Sequence, residues 1–157
     1  MKGFSIIEAL NIAIETEKLG IEFYGKLVDT VKDKQLKEFF EHLRQEEARH
    51  LVKYIDLRKQ YEQRDKKIEF EDEVQLYFRA ISDAEIFRKA GMTIKELENI
   101  ELKEAVARAL EFEKETLLFF YSLWDSVEPE HQNVMKEIVK EERSHIIRLK
   151  NLLDTLQ

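Results

Sequence analysis

Cysteine is absent from the 157-residue chain, which excludes disulfides, thiolate metal sites, cysteine-ligated iron–sulfur clusters and thiol nucleophiles. One proline and four glycines leave few points at which helices must break. Apolar runs stop after a handful of residues, so nothing spans a membrane. No uninterrupted apolar stretch follows Lys2, and no signal peptide is expected. A basic excess is lacking as well: the net charge of −7 disfavours binding to nucleic acid. With neither disulfides nor an export signal, a cytoplasmic location is the default expectation.

What the chain does have is amphipathic pattern. Charged residues make up 38% and hydrophobic residues 43%, the mixture of helices with densely charged outer faces. The length suits one domain, residues 1–157. Steps of three and four mark inward helical faces. The first stripe reads Ile6, Leu10, Ala13, Glu17, Gly20, Tyr24, Leu27, Val31, after a capping box at Ser5-Ile-Ile-Glu8. Asp33 can cap a second helix running to about Gln63, with Leu36, Phe40, Leu43, Glu47, His50, Tyr54, Leu57 and Tyr61 inward. Residues 64–92 are too long for a hairpin turn and long enough to cross the length of a bundle. Within them, Glu73–Ala80 can form a short helix, Ser82-Asp-Ala-Glu85 is another capping box, and Gly91 is a C-cap candidate. Thr93 can begin a third long helix, with a break before Leu102 and a stripe of Leu102, Val106, Ala109, Glu113, Thr116, Phe120, Leu123, Val127. Pro129 opens the fourth, with Met135, Ile138, Glu142, His145, Leu149, Leu152 and Leu156 inward. The expected fold is all-α: an antiparallel four-helix bundle with a long, partly helical crossover between the second and third helices.

Six residues do not belong on these stripes. Glu17, Glu47, His50, Glu113, Glu142 and His145 occupy core positions, although a buried carboxylate costs several kcal/mol unless paired or bound to metal. They obey an internal repeat. Ala13-Ile-Glu-Thr-Glu17-Lys resembles Ala109-Leu-Glu-Phe-Glu113-Lys, and Glu47-Ala-Arg-His50 matches Glu142-Arg-Ser-His145. Each group lies about 15–16 residues from its hairpin turn, so at ~1.5 Å rise per residue all six fall at nearly one height, roughly 23 Å from either turn.

Four carboxylates in one layer repel one another and force proton uptake. Two divalent cations would balance four negative charges, with the imidazoles as neutral nitrogen ligands. Carboxylate and imidazole ligands without thiolate suit iron or manganese and tolerate zinc. His131 has a Glu at the same spacing, in Glu128-Pro-Glu-His131, but straddles a helix start, where a solvated side chain is expected. Glu15, Glu22, Glu46, Glu111 and Glu141 fall off the stripes and are expected to face solvent. Tyr24, Tyr54 and Tyr121 read first as core, and secondly as donors to the carboxylates or electron relays. Trp124 reads as packing or interface.

The set Glu17 with Phe23-Tyr24, Glu47-x-x-His50, Glu113 with Phe120-Tyr121, and Glu142-x-x-His145 resembles the ferritin-like diiron carboxylate superfamily, most closely its rubrerythrin-type branch. The resemblance implies that Glu17, Glu47, His50, Glu113, Glu142 and His145 ligate two iron ions, with Glu47 and Glu142 as bridges and the same six as catalytic residues. It also implies oxidation of the diferrous pair by hydrogen peroxide or dioxygen. Four departures qualify it. A chain without cysteine cannot hold the cysteine-ligated iron domain that feeds electrons in rubrerythrins, so a separate electron donor is implied. Thr116 stands where rubrerythrins often carry a further Glu. Ala48 stands where bacterioferritin has its haem methionine, and no haem is expected. The chain also stops twelve residues after His145, without the short fifth helix usual in cage-forming ferritins. The reading is a non-haem diiron protein that oxidises ferrous iron, against the alternative of a non-catalytic iron, manganese or zinc carrier or sensor on the same bundle. A homodimer through an exposed apolar face stays open.

Overall fold

A computed structural model describes residues 5–64, 76 and 85–156. Helix α1 spans Ile6–Thr30 and α2 Lys34–Gln63; α3 is Glu85–Glu96, α4 Leu102–Ser126, and α5 Gln132–Thr155, preceded by a 3-10 turn at Pro129–His131. Among the described residues there is no strand element, and no helix is long and apolar enough to cross a membrane.

Local chemistry sets the boundaries. The Ser5 hydroxyl accepts from the Glu8 amide, and the Glu8 carboxylate accepts from the Ser5 amide at 2.7 Å, so the capping box starts α1 as expected. Asp33 accepts from the Leu36 amide at 2.9 Å and starts α2 after a turn of three residues, too short for anything but an antiparallel hairpin. A similar hairpin joins α4 to α5, where Pro129 opens the 3-10 turn rather than the α-helix itself.

The crossover differs from expectation in one place. Gly91 does not cap a helix and Thr93 does not start one; both lie inside α3. Ala90, Thr93, Ile94 and Leu97 are buried on one side of this segment. That burial outweighs the ~1 kcal/mol that an internal glycine costs a helix. The break before Leu102 is present, formed by the turn at residues 97–100. The suggested helix at Glu73–Ala80 and the cap at Ser82 lie outside the described residues.

The four stripes are the core. Every residue of the first is buried, and the other three depart only at Leu36, Leu102, Leu152 and Leu156, near helix ends, which are partly buried. The apolar core divides into two clusters. One contains Leu10, Ala13, Tyr54, Leu57, Phe120, Leu123, Met135 and Ile138, toward the α4–α5 hairpin. The other contains Tyr24, Leu27, Phe40, Leu43, Val106, Ala109 and Leu149, toward the α1–α2 hairpin. The six anomalous residues separate them.

His131 is a correction. It is buried, not solvated, and closes the end of α2 onto the second hairpin. Its Nε2 lies 3.0 Å from Gln60 Oε1, which can only accept, so Nε2 carries the proton and Nδ1 accepts from the Tyr61 hydroxyl at 2.8 Å. Tyr61 in turn accepts from the Glu128 amide at 2.9 Å. Both ring nitrogens are therefore engaged in a structural latch away from the carboxylate layer.

Candidate metal centre

Each helix of the bundle contributes at the same level: Glu17 from α1, Glu47 and His50 from α2, Glu113 from α4, Glu142 and His145 from α5. All six are at most 4% exposed. They form two overlapping groups, Glu17, Glu47, His50, Glu142 and Glu47, Glu113, Glu142, His145, each offering ligand atoms within 4.8 Å of one another. Glu47 and Glu142 belong to both groups.

Both imidazoles turn Nδ1 inward. His50 Nδ1 lies 2.6 Å from Glu142 Oε1 and 3.8 Å from Glu17 Oε1. His145 Nδ1 lies 3.0 Å from Glu47 Oε1, 3.3 Å from Glu142 Oε2 and 3.7 Å from Glu113 Oε1. The rings stack with centroids 5.9 Å apart. These short approaches lack hydrogen-bond geometry: both Nδ1 atoms, both oxygens of Glu17 and of Glu142, and Glu47 Oε1 are buried without a hydrogen-bond partner. Buried polar atoms rarely go unpaired, and convergence on a common point is what ligands to a cation do. The residues present fit a pair of cations.

The outer nitrogens explain the orientation. His50 Nε2 donates to Glu141 Oε2 at 2.6 Å, and His145 Nε2 donates to Glu46 Oε2 at 3.0 Å. Each carboxylate thus braces the imidazole of the other hairpin, fixing the tautomer that leaves Nδ1 to face inward. Glu46 and Glu141 were expected in solvent; Glu46 is buried and Glu141 half-buried, because each lies next to a core Glu and turns toward the partner hairpin. Arg148 also donates to Glu46, with His42 and Arg49 nearby. Burial alone would push the Glu46 carboxyl up, but the His145 and Arg148 hydrogen bonds bring it down to about 2. The available signal was the repeat itself, since both copies carry a Glu-Glu doublet. Glu15, Glu22 and Glu111 are exposed as expected.

Protons offset part of the charge in the layer. Burial, and then the charge of Glu47, holds the Glu17 carboxyl well above its ordinary range. Burial lowers His50, yet the Glu142 carboxylate outweighs it and raises the imidazole to about 8. His145 behaves likewise: burial lowers it, and the neighbouring Glu142 carries it up.

Tyr24, on the α1–α2 hairpin side, donates its hydroxyl to Glu113 Oε1. Tyr54, buried on the other side, has no partner for its hydroxyl. Tyr121 packs on Trp124, ring centroids 6.1 Å apart, and both pack against the apolar cluster toward the α4–α5 hairpin. Gly20 makes room for Glu47: a Cβ there would stand 3.2 Å from Glu47 Cγ and 3.3 Å from Cδ.

Fold and site together define a ferritin-like four-helix bundle with a buried carboxylate–histidine cluster of the diiron type. The rubrerythrin family model matches residues 8–153, nearly the whole chain, and the chain belongs to that family. Its structure is similar to a crystal structure, at 2.30 Å resolution, of a protein from Thermotoga maritima described as a ferritin-like diiron-carboxylate protein. The TM-score is 0.78 at 21% identity, over 100% of this chain and 99% of that one, a likeness of fold. Comparison with curated protein sequences gave no match.

Proposed function

We propose that the protein is a non-haem diiron protein that oxidises ferrous iron with hydrogen peroxide or dioxygen. The observation that carries this reading is the convergence of four carboxylates and two inward Nδ1 atoms in two groups that share Glu47 and Glu142. Glu17 and His50 would hold one iron, Glu113 and His145 the other, with Glu47 and Glu142 common to both. When bound, an iron pair supplies the electrons for reducing a peroxide or dioxygen.

The chain's own contribution is the frame. Glu46 and Glu141 orient the imidazoles, Tyr24 fixes Glu113, and apolar clusters on both sides exclude water. Glu17, His50 and His145 release their protons as cations bind, so that charge in the layer stays balanced. Without cysteine, electrons to regenerate the reduced state come from a separate donor.

The test is ferrous iron added anaerobically, then mixed with peroxide or air-saturated buffer and followed optically. Oxidation faster than in the absence of protein, lost in Glu47→Ala, supports turnover. Stoichiometric binding of iron, manganese or zinc without accelerated oxidation would favour the carrier reading instead.

A further inference from the structure

The ligands obey the internal repeat, but the shell around them does not. The offsets that pair Glu17 with Glu113 and His50 with His145 also pair Gly20 with Thr116, Tyr24 with Phe120, and Tyr54 with Leu149. Hydroxyls therefore surround an otherwise two-fold site unevenly. On the α1–α2 side the Tyr24 hydroxyl is engaged by Glu113. On the α4–α5 side, Tyr54 is fully buried and Thr116 is 4% exposed, and neither hydroxyl has a hydrogen-bond partner.

A helical threonine has an easy alternative, donation to the carbonyl four residues back. Thr16 takes it, with its hydroxyl 2.9 Å from the Ile12 carbonyl oxygen; Thr116 does not. Tyr54 lies one turn beyond His50, and Thr116 one turn beyond Glu113, both toward the α4–α5 hairpin. At ~1.5 Å rise per residue, Thr116 starts about 4.5 Å beyond Glu113 and Tyr54 about 6 Å beyond His50. Tyr54 packs at a tilt against Phe120, ring centroids 5.2 Å apart and planes at 47°, and Phe120 is itself one turn from Thr116. Ala13 and Ile138 are buried in the same apolar cluster. Two buried hydroxyls without partners thus lie one turn from the ligand layer, on the same side of it.

We propose that the Thr116 and Tyr54 hydroxyls form a subsite that holds a small anionic oxidant of the hydroperoxide class against the α4–α5 side of the metal centre. This rests on the metal-binding reading above. Both side chains hold and orient the anion; neither supplies a ligand to the metal.

Azide is the probe, titrated optically into ferric-loaded protein. Tyr54→Phe and Thr116→Val should each keep the parent's metal content and weaken azide binding about tenfold, the worth of one hydrogen bond to a charged group. Thr116→Ser should restore parent affinity. In chelator, Tyr54→Phe and Thr116→Val should melt no lower than the parent, because each removes an unpaired buried hydroxyl. Unchanged azide affinity in both variants at full metal content would overturn the subsite while leaving the metal centre intact. Clearly lower melting of the metal-free variants would overturn it too, by showing that the hydroxyls serve the fold. A parent that takes up no metal would instead bring down the proposed function, and the subsite with it.

Discussion

Gly20→Ala is the substitution that most sharply separates the needs of the fold from those of the site. Gly20 sits inside α1 without a positive φ, so its backbone suits alanine. On helix propensity alone the change should stabilise by ~0.5–1 kcal/mol. The new Cβ would stand 3.2 Å from Glu47 Cγ, 3.3 Å from Cδ and 3.4 Å from Oε2, so Glu47 must shift by a few tenths of an ångström. In metal-free protein no hydrogen bond at Oε1 holds Glu47 in place, so the side chain can shift aside. The metal-free variant should then melt at or above the parent; ~1 kcal/mol is worth roughly 2–4 °C in a protein of this size. Once cations are bound, Glu47 is shared by both groups and cannot yield without disturbing both. Metal affinity should fall roughly 10–100-fold, the usual consequence of a disturbed metal shell, or ~1.4–2.7 kcal/mol. Thermal denaturation with chelator and with added ferrous or manganous ion reads both effects. A variant that gains the parent's full stabilisation from metal would refute the shared role of Glu47. A metal-free variant melting well below the parent would show that Glu47 is fixed by the fold rather than by cations.

Replacing Glu17, Glu47, Glu113 and Glu142 together by apolar residues of matched volume should abolish metal binding. The variant should nevertheless melt at or above metal-free parent, since buried ionic clusters so replaced often leave a protein ~1–4 kcal/mol more stable; melting well below it would mean that the carboxylates hold the bundle together. Glu141→Gln should weaken metal binding roughly 10–100-fold by loosening the His50 tautomer, read by competition with a chelator, and unchanged affinity would remove Glu141 from the site. The metal-free protein should lose stability as pH rises. Folded Glu17 and His50 hold protons more tightly than their ordinary values of 4.5 and 6.5 allow, so this contribution is full at low pH and is lost as pH rises, for His50 through about 8. Cations replace those protons, so the melting shift produced by metal should grow from pH 5 to pH 8; a shift that shrinks would contradict the linkage.

The four stripes, both hairpins and the common height of the six residues were legible because helical period, caps and rise per residue are local properties. The internal repeat added the pairing of the halves. Glu46 and Glu141 were not legible in that way. Their positions fall off the stripe, and only the meeting of α2 with α5 turns them onto the imidazoles of the opposite hairpin. His131 failed for a related reason, since its partners Gln60 and Tyr61 lie about 70 residues away and belong to another helix end. Gly91 misled because glycine ends helices by propensity, while burial along α3 carries the helix through it. The unpaired hydroxyls of Tyr54 and Thr116 were hidden too, because an absent partner has no signature in a sequence.

Two cations sharing Glu47 and Glu142 would show directly in the metal content of the protein. Protein loaded anaerobically with ferrous iron and freed of excess should carry two ions per chain, about 3.5–4 Å apart by X-ray absorption, as in other two-metal sites. His131→Ala should keep both ions, whereas His145→Ala should lose at least one. A single ion at full occupancy, or equal losses from the two histidine variants, would contradict the account.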